Sequence, residues 1–187
     1  MMKDIKLAQN NKTKLLHPAK ECAYLAMFVA LVIAVQVALS IVPGVELVTV
    51  MFVVYSFTLG VKRGVISATA FSLLRQIVFG VYPVVLILYL IYYNLLALLF
   101  GFLGNKLKNT LKWLWLIVLL ACIMTICFTM LDNVLTPWWY GYTKRSFELY
   151  FKASLTFMLP QVVCVGVSVG VMFYPLYKVF SKLKSTL

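Results

Sequence analysis

Acidic side chains are nearly missing from this chain: five Asp and Glu stand against seventeen Lys and Arg in 187 residues, with one histidine. That histidine, His17, lies in a basic amino-terminal stretch. Zinc hydrolysis and Ser/His catalysis therefore lack their ordinary parts, and no catalytic residue is expected. The four cysteines, Cys22, Cys122, Cys127 and Cys164, form no CxxC or Cys/His pattern. Each lies in or beside an apolar segment, so they read as small buried hydrophobes rather than disulfides or metal ligands. No glycine-rich phosphate loop occurs, and no polar stretch is long enough for a soluble domain. Neither a repeat nor an inverted copy of one half in the other is visible.

Apolar residues fill the chain instead, at 64% against 12% charged. That composition lies far outside the range of soluble domains. The apolar residues come in long runs with short polar breaks, which predicts an all-α integral membrane protein, a bundle of six transmembrane helices. The expected spans are about 23–42, 46–61, 64–80, 84–103, 113–133 and 153–177. The second is short for a bilayer crossing and would need tilt or thinned lipid. A long aromatic loop over 134–150 is expected before the sixth span, and Pro160 is expected to break a short outer helix from it.

A net charge of +12 would suggest nucleic acid in a soluble protein. Here the cations sit in short loops, so topology explains them and no nucleic-acid partner is expected. With the amino terminus inside, Lys3, Lys6, Lys12, Lys14, Lys20, Lys62, Arg63, Lys106, Lys108, Lys112, Lys178, Lys182 and Lys184 all fall inside. Only Lys144, Arg145 and Lys152 fall at the outer side, and Arg75 lies within a span. Both termini are therefore expected in the cytoplasm: a basic segment over 1–22, the membrane domain over 23–178 and a tail over 179–187. The polar first twenty residues, and a following apolar run too long for an h-region, argue against a cleaved signal.

The first span carries Ala26, Ala30, Ala34 and Ala38 at four-residue spacing, hence in one ridge of a helix. Such a ridge permits close approach of another helix, from this chain or another. Gly166 and Gly170 suggest a second close-packing face on the sixth span. Glu46, entering the second span, is either a solvated interfacial residue or a lid or pocket residue. Arg75, late in the third span, needs an anionic or carbonyl partner at membrane depth. Either it snorkels or pairs with Glu46 or Asp132, or it binds a substrate's carboxylate, phosphate or carbonyl. Tyr82, Tyr89 and Tyr93 suit one helical face, and Asn94 adjoins them. They form either an aromatic belt with an interhelical amide or a stacking wall for a ligand. Asp132, Trp138 and Trp139 belong to the densest aromatic and polar stretch, which fits interfacial anchoring or a capped outward pocket. Gln161 is a further pocket candidate.

Together these features resemble an S component of an energy-coupling factor (ECF) transporter. The resemblance rests on the span pattern, the alanine ridge, Pro43-Gly-Val-Glu46-Leu-Val-Thr49 leading into the second span, and Pro175-Leu-Tyr-Lys178 closing the sixth. It covers nearly the whole chain. It implies a multi-pass protein of a prokaryotic plasma membrane that captures a vitamin or related small molecule in an outward-facing pocket. It implies that Ala26, Ala30, Ala34 and Ala38 contact a transmembrane coupling subunit. Two cytoplasmic ATPases complete the complex, and the S component topples to release its substrate inward. ATP is used by the partners; the chain itself needs no cofactor. Carried onto this sequence, the pocket draws on Glu46, Arg75, Tyr89, Asn94, Asp132, Trp138, Trp139 and Gln161. Motifs of the riboflavin and thiamine binders are not evident, and the amino-terminal histidine motif of the metal-binding branch is missing. Arg75 favours a substrate with an anionic group, and the aromatic excess favours a ring. The rival readings are a standalone small permease, a membrane assembly protein, or a membrane enzyme using Glu46 and Asp132.

Overall fold

A computed structural model describes the backbone of residues 2–41, 47–107 and 112–186, and the side chains of 19–184 within those stretches. Six helices and no strands occur among the described residues: α1 (Met2–Leu39), α2 (Val48–Leu59), α3 (Val61–Phe79), α4 (Pro83–Lys106), α5 (Leu114–Tyr140) and α6 (Lys144–Thr186). Segments Ala19–Leu39, Pro83–Lys106, Leu114–Tyr140 and Lys144–Lys184 are each long and apolar enough to cross a membrane. α3 has 19 residues but carries Lys62, Arg63 and Arg75. The chain is thus an all-helical protein with the character of a membrane bundle.

α2 lies at the centre. All twelve of its residues are buried, and it packs on α3, α4 and α6 with lighter contact to α1 and α5. At 1.5 Å per residue it is only about 18 Å long. A helix sheathed by protein need not match the bilayer, because its ends meet other side chains rather than headgroups. Val50, Phe52, Val53 and Val54 are wholly excluded from the surface. Lipid tails are as apolar as these side chains, so what holds α2 is close van der Waals packing rather than escape from water.

Packing is closest where α2 turns into α3. Only Gly60 separates the two helices, with φ of 88°, a backbone conformation that side chains other than glycine's resist. Its N–H donates to the Ser56 carbonyl at 2.9 Å. α4 presses on this turn through Gly101 and Gly104. A Cβ on Gly101 would lie 2.7 Å from the Val61 Cα, and one on Gly104 would overlap the Phe57 carbonyl. Gly166 and Gly170 behave differently from expectation. A Cβ on Gly166 would meet only the Cys122 Sγ at 3.4 Å, and one on Gly170 would meet nothing within 4 Å. The close-packing glycines are therefore Gly64 on α3 and Gly101 and Gly104 on α4, near the α2–α3 turn, rather than those on α6.

Aromatic rings fill the rest of this end. Phe28 of α1 stacks on Tyr55 at 3.8 Å between centroids, and Phe180 of α6 meets both edge-on. Arg63 of α3 forms an ion pair with Glu21 of α1.

The expected aromatic loop over 134–150 is mostly helix. α5 continues to Tyr140, and α6 begins at Lys144. Pro137 sits inside α5 and is buried; its own carbonyl accepts the N–H of Gly141 at the helix end. Gly141 is left-handed (φ 61°, ψ 46°), which stops the helix. Thr143 then starts α6, its Oγ1 accepting the Ser146 N–H at 3.4 Å. Nor does Pro160 break a separate helix. α6 runs unbroken through both Pro160 and Pro175, since freed backbone groups in a packed apolar helix can be satisfied locally. The basic segment over 1–22 is likewise a continuation of α1, which begins at Met2. Cys22 and Cys127 are exposed rather than buried, while Cys122 and Cys164 are half-buried, and none of the four is in a disulfide. An outer helix face that meets lipid is as suitable for a small apolar thiol as a core is.

Candidate functional site

Arg75 late in α3 meets Gln36 late in α1, Thr49 at the start of α2 meets Tyr92 of α4, and Asp132 late in α5 meets Tyr150 early in α6, so successive helices alternate in direction. The ends of α1, α3 and α5 therefore gather with the starts of α2, α4 and α6. Gln36, Thr49, Arg75, Gln76 and Asn133 lie toward that end.

Arg75 is the centre of that group. It lies one turn before the end of α3 and is half-buried. Its Nε donates to Gln36 Oε1 of α1 at 3.1 Å. Gln36 Nε2 in turn donates to the Tyr89 hydroxyl of α4 at 3.2 Å. The guanidinium carbon stands 4.2 Å from the Tyr89 ring centroid and 4.6 Å from that of Phe79. Three helices thus meet on one cation through a hydrogen-bonded triangle and two aromatic faces. The Arg75 Nη1 atom is buried and has no hydrogen-bond partner among the described residues.

Gln76, next on α3, is buried. Its Oε1 accepts the Tyr82 backbone N–H at 3.2 Å, where α4 begins, and its Nε2 has no partner among the described residues. Thr49 at the start of α2 lies 3.5 Å from the Tyr92 hydroxyl. Below these groups Tyr89, Tyr93, Phe71 and Phe128 form a connected set of ring contacts. Tyr82 is exposed and stands apart from Tyr89 and Tyr93.

Asn94 is engaged between helices. Its Oδ1 accepts from Thr69 Oγ1 of α3 at 3.2 Å, and its Nδ2 donates to the Leu90 carbonyl at 2.8 Å. Asp132 does not pair with Arg75. It accepts from Thr136 Oγ1 at 2.6 Å and from the Tyr150 hydroxyl at 2.5 Å, tying α5 to α6. Beside it an open cleft of about 400 Å³ is lined by Asn133, Val134, Pro137, Trp138, Tyr142, Lys144 and Phe147. Trp138 is 75% exposed and Trp139 stands half-exposed beside it; Gln161 is half-buried on α6. Glu46 lies outside the described residues.

Of the expected pocket residues, the structure joins Arg75 and Tyr89 directly. Asp132 and Trp138 belong to the α5–α6 junction. Sequence reasoning passed over Gln36, which holds Arg75 and Tyr89 together, and Asn133, which is 97% buried with neither amide atom partnered. The available signal was the bare presence of an amide in an apolar run.

The alanine ridge has a definite place. Ala26, Ala30, Ala34 and Ala38 are all exposed, whereas Phe28, Val29 and Val32 are buried in the core. The ridge is thus turned away from this chain's own helices. Comparison with protein-family models, curated proteins and solved structures gives no match to this chain.

Proposed function

We propose that this chain is the substrate-binding membrane subunit of an ECF-type importer. In this reading all six helices belong to the membrane domain, both termini lie in the cytoplasm, and the Arg75 end of the bundle faces outward. A vitamin-like small molecule is captured there, with Arg75 and Tyr89 at its centre and Glu46, Asn94, Asp132, Trp138, Trp139 and Gln161 as the wider set. A transmembrane coupling subunit docks on Ala26, Ala30, Ala34 and Ala38, and two ATPases drive release.

The observation that carries this reading is the uncovered alanine ridge. A helix that only anchors the bundle gains contact with lipid from large side chains. Small residues at every fourth position leave a shallow groove that suits another helix better than mobile lipid chains. The Arg75 group adds a polar, ring-lined centre that meets the same helix at Gln36, between Ala34 and Ala38 in the chain.

The test is co-purification with a candidate coupling subunit and its ATPases, together with uptake of the substrate. Ala30→Leu combined with Ala34→Leu is expected to abolish assembly and uptake while the subunit still folds. Intact assembly and uptake in that variant would overturn the reading.

A further inference from the structure

We infer that Arg75 anchors an oxyanion site, in which a carboxylate or phosphate of a ligand takes the Nη edge of the guanidinium while Gln36 positions it. This rests on the substrate-binding reading above and names the chemistry that the Arg75 site accepts.

A guanidinium has five N–H donors and no acceptor. In Arg75 the Nε donor is engaged by Gln36 Oε1 at 3.1 Å. The Tyr89 and Phe79 ring centroids lie 4.2 and 4.6 Å from the guanidinium carbon, and these rings supply no hydrogen-bond acceptor to Nη1. Nη1 is buried without a partner among the described residues. Among the described residues no carboxylate forms an ion pair with Arg75; Glu21 pairs with Arg63, and Asp132 binds Thr136 and Tyr150.

A charged group withdrawn from water in this way normally has a counter-charge. The planar fork of arginine matches the two oxygens of a carboxylate or phosphate, which a lone neutral carbonyl does not. Gln36 matters because it accepts at Nε and donates to Tyr89, fixing the plane of the guanidinium against the ring. The buried Nη1 donor is therefore held in place before any ligand arrives, and the ordering cost of binding is reduced. Oxyanions of this kind come from a soluble substrate or from the phosphate of a lipid headgroup.

The experiment uses the full chain, in detergent and in nanodiscs, with thermal unfolding as readout. Benzoate and inorganic phosphate are the soluble probes, benzamide and matched sodium chloride the controls, and phosphatidylglycerol against phosphatidylcholine the lipid pair. A soluble oxyanion is expected to raise the melting temperature by roughly 3 °C or more at saturation, and benzamide is not. Arg75→Gln is expected to remove the shift and Arg75→Lys to weaken it about tenfold, the fork being lost while the charge stays. Gln36→Glu separates positioning from packing. It supplies the missing negative charge from within, so it is expected to raise the melting temperature without ligand and to abolish the response to the probe. A Gln36→Glu protein that still responds like wild type would remove Gln36 from its role.

A response to phosphatidylglycerol alone would keep the oxyanion site and overturn its use for a soluble substrate. No response to either source, or a response that survives Arg75→Gln, overturns the site itself. Glu46→Gln that destabilises the protein as much as Arg75→Gln, with no probe response in wild type, would identify an internal ion pair instead. None of these outcomes touches docking on the alanine ridge, which the assembly experiment tests separately.

Discussion

At the Gly60 end of α2, backbone lies against backbone; at the Val48 end, polar side chains meet and leave donors unused. The first end holds Gly101 and Gly104 against Phe57 and Val61. The second holds Arg75 and Gln76, each with a buried nitrogen that has no partner among the described residues. Ser56 is the exception at the tight end, its hydroxyl unpartnered where Gly64 comes close. In lipid, helices associate through closeness and hydrogen bonds, since apolar burial gives little advantage. A structure seeking only stability would therefore close both ends alike. In the proposed reading, stability is concentrated at the closed end and recognition at the polar one.

The sharpest way to break that contrast is Gly104→Ala. Its new methyl group has to displace the Phe57 backbone, so a loss of about 3 kcal/mol or more is expected, and with it most of the monodisperse protein on size exclusion. Asn94→Ala, which removes the Thr69 bond but opens no backbone contact, should cost only about 1 kcal/mol in thermal or denaturant unfolding. Gly170→Ala reverses the sign. With nothing near its Cβ, the helix gains about 0.5 kcal/mol, and a slightly raised melting temperature checks this. Smallest of all is Ala30→Leu with Ala34→Leu, which should change the stability of the isolated subunit by no more than about 0.5 kcal/mol, since both positions are exposed. A large loss there would mean that the ridge supports this chain's own fold.

Much of the architecture was legible because the apolar runs are separated by glycine, proline and lysine breaks. The helices α2, α3 and α4 fall close to the expected 46–61, 64–80 and 84–103. The stretch 134–150 was misread because Pro137, two tryptophans and several polar side chains look like a loop, and only neighbouring helices can make a helix of them worthwhile. Glycine spacing was equally ambiguous. Gly101 and Gly104 resemble Gly166 and Gly170 on paper, and only the distance to another backbone tells them apart. Arg75 could be recognised alone, because a cation in an apolar run is conspicuous. Gln36 could not, because its role exists only once α1, α3 and α4 are side by side.

The burial of α2 has a consequence for how the protein is made. A helix of twelve residues emerging from a ribosome is too short to settle across a bilayer unaided, and its partners α4 and α6 have not yet been synthesised. The single-residue link at Gly60 joins it to α3, whose Lys62 and Arg63 lie directly beyond the turn. Insertion is thus expected to proceed as a hairpin, α2 and α3 entering together and waiting for α4 to close over the turn. Glycosylation-site mapping on chains ending before Pro83 and after Lys106 should find α2 stably placed only in the longer product.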